Sequence, residues 1–224
     1  MMRVLPVAAL VLLTACGSEP SLPPINPVSL SLPGHILSTP QSGWQLIATL
    51  EDGPAVGVGH ADDKGDFTLE MDEIALLLAA QPYQRRPDFG DSCTWTGEQD
   101  TTQVRVTRGV NIRASRTDGA HWMSPLRPKP HRGDYDWDLF YATGQGRVTA
   151  VQTCRSSFDT FDSLTNVRIN LTFTPGWNLV EYHKTPMQST APGGRELQSS
   201  ELWIRSVALP GRFVAYDQSV FFGD

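Results

Sequence analysis

The sequence predicts a mainly-β protein, an antiparallel β-sandwich-type fold with one short helix. Three observations carry that expectation. Apolar residues recur at every second position in several segments, the pattern of strands with one buried and one wet face. The 19 glycines and 17 prolines of this 224-residue chain supply the turn residues that such short strands need. A single stretch, residues 71–80, strings helix-forming residues together without a breaker.

The chain opens with Arg3, the apolar residues 4–13, and then Leu13-Thr14-Ala15-Cys16. That is the layout of a secretory signal, with small residues ahead of a nucleophilic thiol. The apolar stretch is about half of the roughly 20 residues that a membrane span needs, and Pro6 interrupts it. Residues 1–16 resemble a bacterial lipoprotein signal with its lipobox. The resemblance implies removal of a signal peptide, residues 1–15, and acylation of Cys16. Several acyl chains would then fasten the protein stably to a membrane of the cell envelope. The plainer reading is an ordinary cleaved signal in which Cys16 is incidental. Residues 16–33 follow as a proline-rich tether, extended and semi-rigid. Leu30 and Leu32 already fit a first strand.

Residues 34–70 read as a small β module of about four short strands. Trp44, Leu46, Ala48 and Leu50 alternate with more polar positions, and Val56 and Val58 alternate with Gly57 and Gly59. Phe67 and Leu69 follow the turn Asp62-Asp63-Lys64-Gly65. The phrase Asp63-Lys64-Gly65-Asp66-Phe67, with Gly34 before Ile36 and Ile47-Ala48 in the next strand, resembles the hairpin of carboxypeptidase-regulatory-like, transthyretin-like β-sandwich modules. Such modules are usually non-catalytic, and that is what the resemblance implies here.

Residues 71–92 read as a short helix and a connector. Asp72 suits the helix N-cap and Pro82 its end. The connector is a soft boundary, because the apolar helix can also pack on the following sheet and make one body. Residues 93–224 read as a larger antiparallel β domain. Val104 and Val106 alternate, as do Val110, Ile112 and Ala114. Leu139 and Tyr141 mark a further strand, and residues 148–154 the next, with Gly144-Gln145-Gly146 as the turn between them. Val167, Ile169, Leu171 and Phe173 give the cleanest alternation. Pro175-Gly176 then predicts a type II turn and a hairpin returning through Trp177, Leu179 and Val180. The Pro-Gly-Trp-Asn phrase at 175–178 resembles one found in β-rich bacterial lipoproteins of unassigned function. Trp203 with Ile204, Val207, and residues 213–216 complete the set.

With Cys16 assigned to lipid, Cys93 and Cys154 remain. In an exported chain they suit a disulfide, worth roughly 4 kcal/mol for a loop of this length. Two separate buried thiols are the alternative. Eighteen basic and 24 acidic residues give a net charge of −6, and Lys and Arg form no long runs. Nothing here favours nucleic acid.

Few constellations carry chemistry. Asp134, Asp136 and Asp138 lie at period two, so one strand face could present three carboxylates to calcium. The competing reading puts Tyr135 and Trp137 inward and the acids in water. His35, His60, His121, His131 and His183 form no metal-binding array, and no Gly-x-Ser-x-Gly or Ser-x-x-Lys nucleophile motif occurs. His121, Arg127, Lys129, His131 and Arg132 make the most cationic loop, suited to an anionic polymer or lipid headgroup, or simply solvated. Of the six tryptophans, those left exposed on a β-sandwich would form a stacking platform for sugars, while the rest pack the core. Trp122, set in a polar loop, is the one expected outside.

These readings converge on a lipid-anchored cell-envelope protein that acts as a non-catalytic binding or structural module, without a cofactor. Its expected partners are a membrane, through the lipid, and an envelope protein or polysaccharide. The alternatives are a hydrolase acting on envelope or extracellular polymer, and a calcium-binding surface module.

Overall fold

The computed structural model describes residues 30–38, 42–50, 53–83, 93–129, 135–191 and 196–217. The protein is mainly β. In chain order the elements are β1 (Ser31–Ile36), β2 (Gln45–Leu50), β3 (Ala55–His60), β4 (Asp66–Met71), α1 (Glu73–Ala79), β5 (Gln81–Pro82), β6 (Cys93–Asp100), β7 (Arg105–Thr107) and β8 (Val110–Ser115). There follow β9 (His121–Pro125), β10 (Tyr135–Ala142), β11 (Gly146–Ser157), β12 (Phe161–Phe173), β13 (Gly176–Lys184), β14 (Gln188–Thr190), β15 (Glu196–Val207) and β16 (Phe213–Ala215).

Among the described residues the strands form two curled sheets. The first has the order β16-β1-β4-β3-β2-β8-β9, and its two edges meet where Arg127 and Val214 exchange backbone hydrogen bonds of 3.1 and 2.7 Å. The second runs β5-β7-β10-β13-β15-β12-β11-β6, with β14 alongside β15. Edge strand β6 and β7, next to the opposite edge strand β5, are consecutive in the chain and joined by a tight turn, the Val104 amide donating to the Thr101 carbonyl at 3.0 Å. The sheet therefore bends back on itself. Strands β8, β9 and β16 come from beyond the expected connector, yet they complete the sheet begun by β1 to β4. The connector does not separate one sheet from the other.

Alternation fixes which side chains go inside. Leu46, Ala48 and Leu50 of β2, and Val110, Ile112 and Ala114 of β8, are buried as their period predicts. They join Trp137, Leu139 and Tyr141 of β10 and Trp177 and Leu179 of β13 in one core between the sheets. Phe140 and Ala142 point the other way, into a second core inside the curl with Val148, Leu171, Phe173 and Val180. Strand β10 is thus buried on both faces, which explains its unbroken apolar run 139–142.

Helix α1 forms as expected. Asp72 caps it, its Oδ1 accepting from the Ala75 amide at 3.1 Å. Among the described residues no helix is long and apolar enough to cross a membrane.

Two expectations are corrected. Val56 and Val58 do not share a face: Val56 is fully buried and Val58 is 58% exposed. A bulge is the cause, since Ala48 pairs with Gly57 and Thr49 with Ala55, leaving Val56 unpaired. Gly57 thereby turns inward, where a Cβ would come within 2.5 Å of the Met71 sulfur. The hairpin expected at Pro175-Gly176 is also absent. Strands β12 and β13 do not pair; β15 lies between them, parallel to β12 and antiparallel to β13. Gly176 does take the positive φ, +99°, that the Pro-Gly phrase predicts. The Asn178 side chain, rather than a strand ladder, satisfies the corner. Its Nδ2 donates to the Thr174 and Gly176 carbonyls at 2.7 and 2.8 Å, and its Oδ1 accepts from the Thr174 amide at 3.0 Å.

The core also holds a titratable contact. The Tyr141 hydroxyl donates to Glu73 Oε1 at 3.3 Å. Burial first, and the Glu73 charge second, push the Tyr141 phenol up to about 12. The folded state therefore keeps its proton where an unfolded tyrosine, near pH 10, loses it. Its contribution is complete below pH 10 and declines as the pH rises to about 12. We expect Tyr141→Phe to flatten the fall of melting temperature across that window; a wild-type and variant pair with parallel profiles would contradict this.

Candidate functional site

The residues singled out from the sequence meet different fates. Cys16 lies outside the described residues, as do Asp134, His131 and Arg132. Cys93 and Cys154 form a disulfide, directly opposite one another on β6 and β11. Asp136 forms an ion pair with Arg127, and Trp137 between the two described aspartates is buried as the plainer reading had it. Among the described residues no group of three His, Cys, Asp or Glu side chains is placed to hold a metal ion. Arg127 is not a solvated loop cation. Its side chain is largely buried and also donates to the Trp137 carbonyl at 3.3 Å, and burial pushes its guanidinium below the usual arginine range.

The tryptophans divide differently from the expectation. Trp44, Trp122, Trp137 and Trp177 are core residues. Trp122, expected outside, is only 6% exposed, because β9 alternates and sends His121 and Met123 outward instead. It packs edge-on against Trp44 with ring centroids 5.5 Å apart. The exposed indole is Trp203 on β15, at 40%. The signal was present in the sequence: Ile204 is the inward residue, so parity sends Trp203 out.

Trp203 stands in the middle of an open face of the second sheet. Directly paired residues share a face, so the register builds it row by row. Tyr135 pairs with His183, His183 with Trp203, Trp203 with Arg168, Arg168 with Val151, and Val151 with Thr96. That row crosses six strands, roughly 24 Å at the usual strand spacing of about 4.8 Å. Tyr135 and His183 are stacked, with centroids 4.2 Å apart, and the Arg168 guanidinium lies 5.1 Å from the Trp203 ring centre.

Polar rows flank this one on both sides. Glu201, Asn166, Thr153 and Thr94 form the first, and Glu181, Arg205, Asn170, Thr149 and Glu98 the second. Within them the Thr153 hydroxyl donates to Asn166 Oδ1 at 3.0 Å, and Arg205 grips the buried Glu181 at 2.7 Å. Further along β11, β12 and β15, a recess of about 380 Å³ opens beside Arg155, Ser157, Asp162, Leu164 and Leu197. In the opposite direction the same face is covered, where Trp177, Leu179 and Val207 pack on the first sheet.

A second concavity among the described residues is different in kind. Inside the curl of the second sheet, Tyr83, Trp95, Gln152 and Tyr182 line a cavity of about 30 Å³. A water needs about 10–15 Å³, so two or three at most fit. That interior is a filled core, whereas the outer face has a recess with room for a ligand.

Comparison with known proteins adds no family to this geometry: the chain matches no protein-family model, no curated protein and no solved structure.

Proposed function

We propose that this protein is exported, held at the cell envelope by acylated Cys16, and acts there as a non-catalytic module that binds envelope polysaccharide on the open face of its second sheet. The observation that carries the reading is Trp203, a large aromatic ring 40% exposed at the centre of a row of aromatic, cationic and hydroxyl side chains. The indole keeps 40% of its surface in water, with Arg168 over the ring, so apolar ring surface is left for a ligand to cover. Sugar rings present C–H bonds on their faces and hydroxyls at their rims. The first suit a tryptophan face, and the second suit the flanking Asn166, Asn170, Thr149 and Thr153. The likeness of residues 1–16 to a lipoprotein signal and the proline-rich composition of residues 16–33 support the location: a linker of that composition would hold the β body off the membrane, where an envelope polymer can reach it.

The test is co-sedimentation of the full chain with isolated, insoluble envelope polysaccharide. Wild type is expected to pellet, and Trp203→Ala to remain in the supernatant at an unchanged melting temperature, because the indole is not part of either core. Equal pelleting of the two proteins would overturn the platform. In the producing cell, Cys16→Ser is expected to move the protein from the membrane fraction to the soluble one; unchanged partition would overturn the anchor.

A further inference from the structure

We propose that the ligand of the open face is an uncharged polysaccharide, held by stacking and hydrogen bonds and without ion pairs. This rests on the platform reading and narrows its substrate class. Acidic and basic side chains are interspersed on the face, with Glu98 as one further carboxylate. Arg205 is bound to Glu181 at 2.7 Å, and Arg168 lies 3.8 Å from Glu201. Arg147 sits directly opposite Asp100 in the β6–β11 ladder, and Arg155 shares the recess with Asp162. A polyanion would meet carboxylates interspersed among the guanidinium groups, so its attraction and repulsion largely cancel.

What the face offers in place of charge is uncharged chemistry. One exposed ring and the plane of Arg168 beside it provide stacking surface. Carboxamides and hydroxyls on both sides provide donors and acceptors that match sugar hydroxyls. Neutral contacts of this kind are not screened by salt, whereas binding of a polyanion through exposed charges weakens steeply with ionic strength.

The experiment is calorimetric titration of the full chain with two matched pairs of polymers, hydroxyethylcellulose against carboxymethylcellulose and dextran against dextran sulfate. The members of each pair share a backbone and differ in charge. At least one neutral member is expected to bind, at least as well as its charged counterpart, with an affinity changing less than about twofold between roughly 50 and 500 mM NaCl. Trp203→Ala is expected to weaken that binding about tenfold, and Trp203→Phe to restore part of it. Preference for the charged members, lost on raising the salt, would overturn the inference while leaving the platform intact. Binding of neither pair would overturn it as well, and the co-sedimentation experiment judges the platform separately.

Discussion

Replacing both Cys93 and Cys154 by serine is expected to lower the unfolding free energy by about 4 kcal/mol. The bridge closes a loop with a sequence separation of 61. In the chain-entropy argument a 15-residue loop gives about 3 kcal/mol and a 100-residue loop about 4.7, so this one falls between. Local packing makes the dependence stronger. Strand β6 is an edge strand of the second sheet, with mostly exposed side chains. Apart from Trp95, which packs on the second core, its side chains bury little apolar area, so its attachment leans on the β11 ladder and on the sulfur bridge at the end of that ladder. Fraying should therefore begin there. Hydrogen exchange is expected to accelerate first at β6 in the double variant, and the urea midpoint to fall. An unchanged midpoint and unchanged β6 protection would show that the strand holds without its covalent tie. Reduction of the wild-type protein should reproduce the effect, and reoxidation reverse it.

The comparison of sequence with structure separates what is local from what is not. Faces were legible. Alternation placed Leu46, Ala48 and Leu50 inside, and Val110, Ile112 and Ala114 with them, because burial of one strand face needs only neighbours two residues apart. The α1 cap at Asp72 was legible for the same reason: the contact spans three residues. Partners were not legible. Strand β15 inserts between β12 and β13 from farther along the chain, and nothing near Pro175-Gly176 announces it. The parallel pairing of β1 with β16 joins the two ends of the described chain. A bulge at Val56 broke a pattern that alternation alone would continue.

The candidate site shows the same division. Parity sends Trp203 away from Ile204, so its outward face was readable. Which face of a curled sheet remains uncovered depends on where the first sheet docks. That docking covers Trp177 and Leu179 and stops short of Trp203. Trp122 failed for the converse reason: a polar stretch of sequence became a strand, and period two turned its indole into the core.

Asn178→Ala is the second large effect we expect, a loss of about 3 kcal/mol. The Asn178 side chain replaces the ladder that an ordinary hairpin would use, and the residue itself is buried. Truncation strands the part-buried Thr174 amide and leaves the Thr174 and Gly176 carbonyls without these donors; the unmade buried bond to Gly176 costs about 1–3 kcal/mol and the two part-buried ones less. Asn178→Asp separates the contributions. A carboxylate keeps an acceptor for the Thr174 amide but aims negative charge at two carbonyl oxygens, so it should be no better than alanine. If β12 and β13 formed a simple hairpin, their own backbone bonds would hold the turn, and either substitution would cost under about 0.5 kcal/mol, as at an ordinary surface position. Urea titrations of the two variants against wild type, read at constant m-value, decide between a corner held by one carboxamide and a conventional turn.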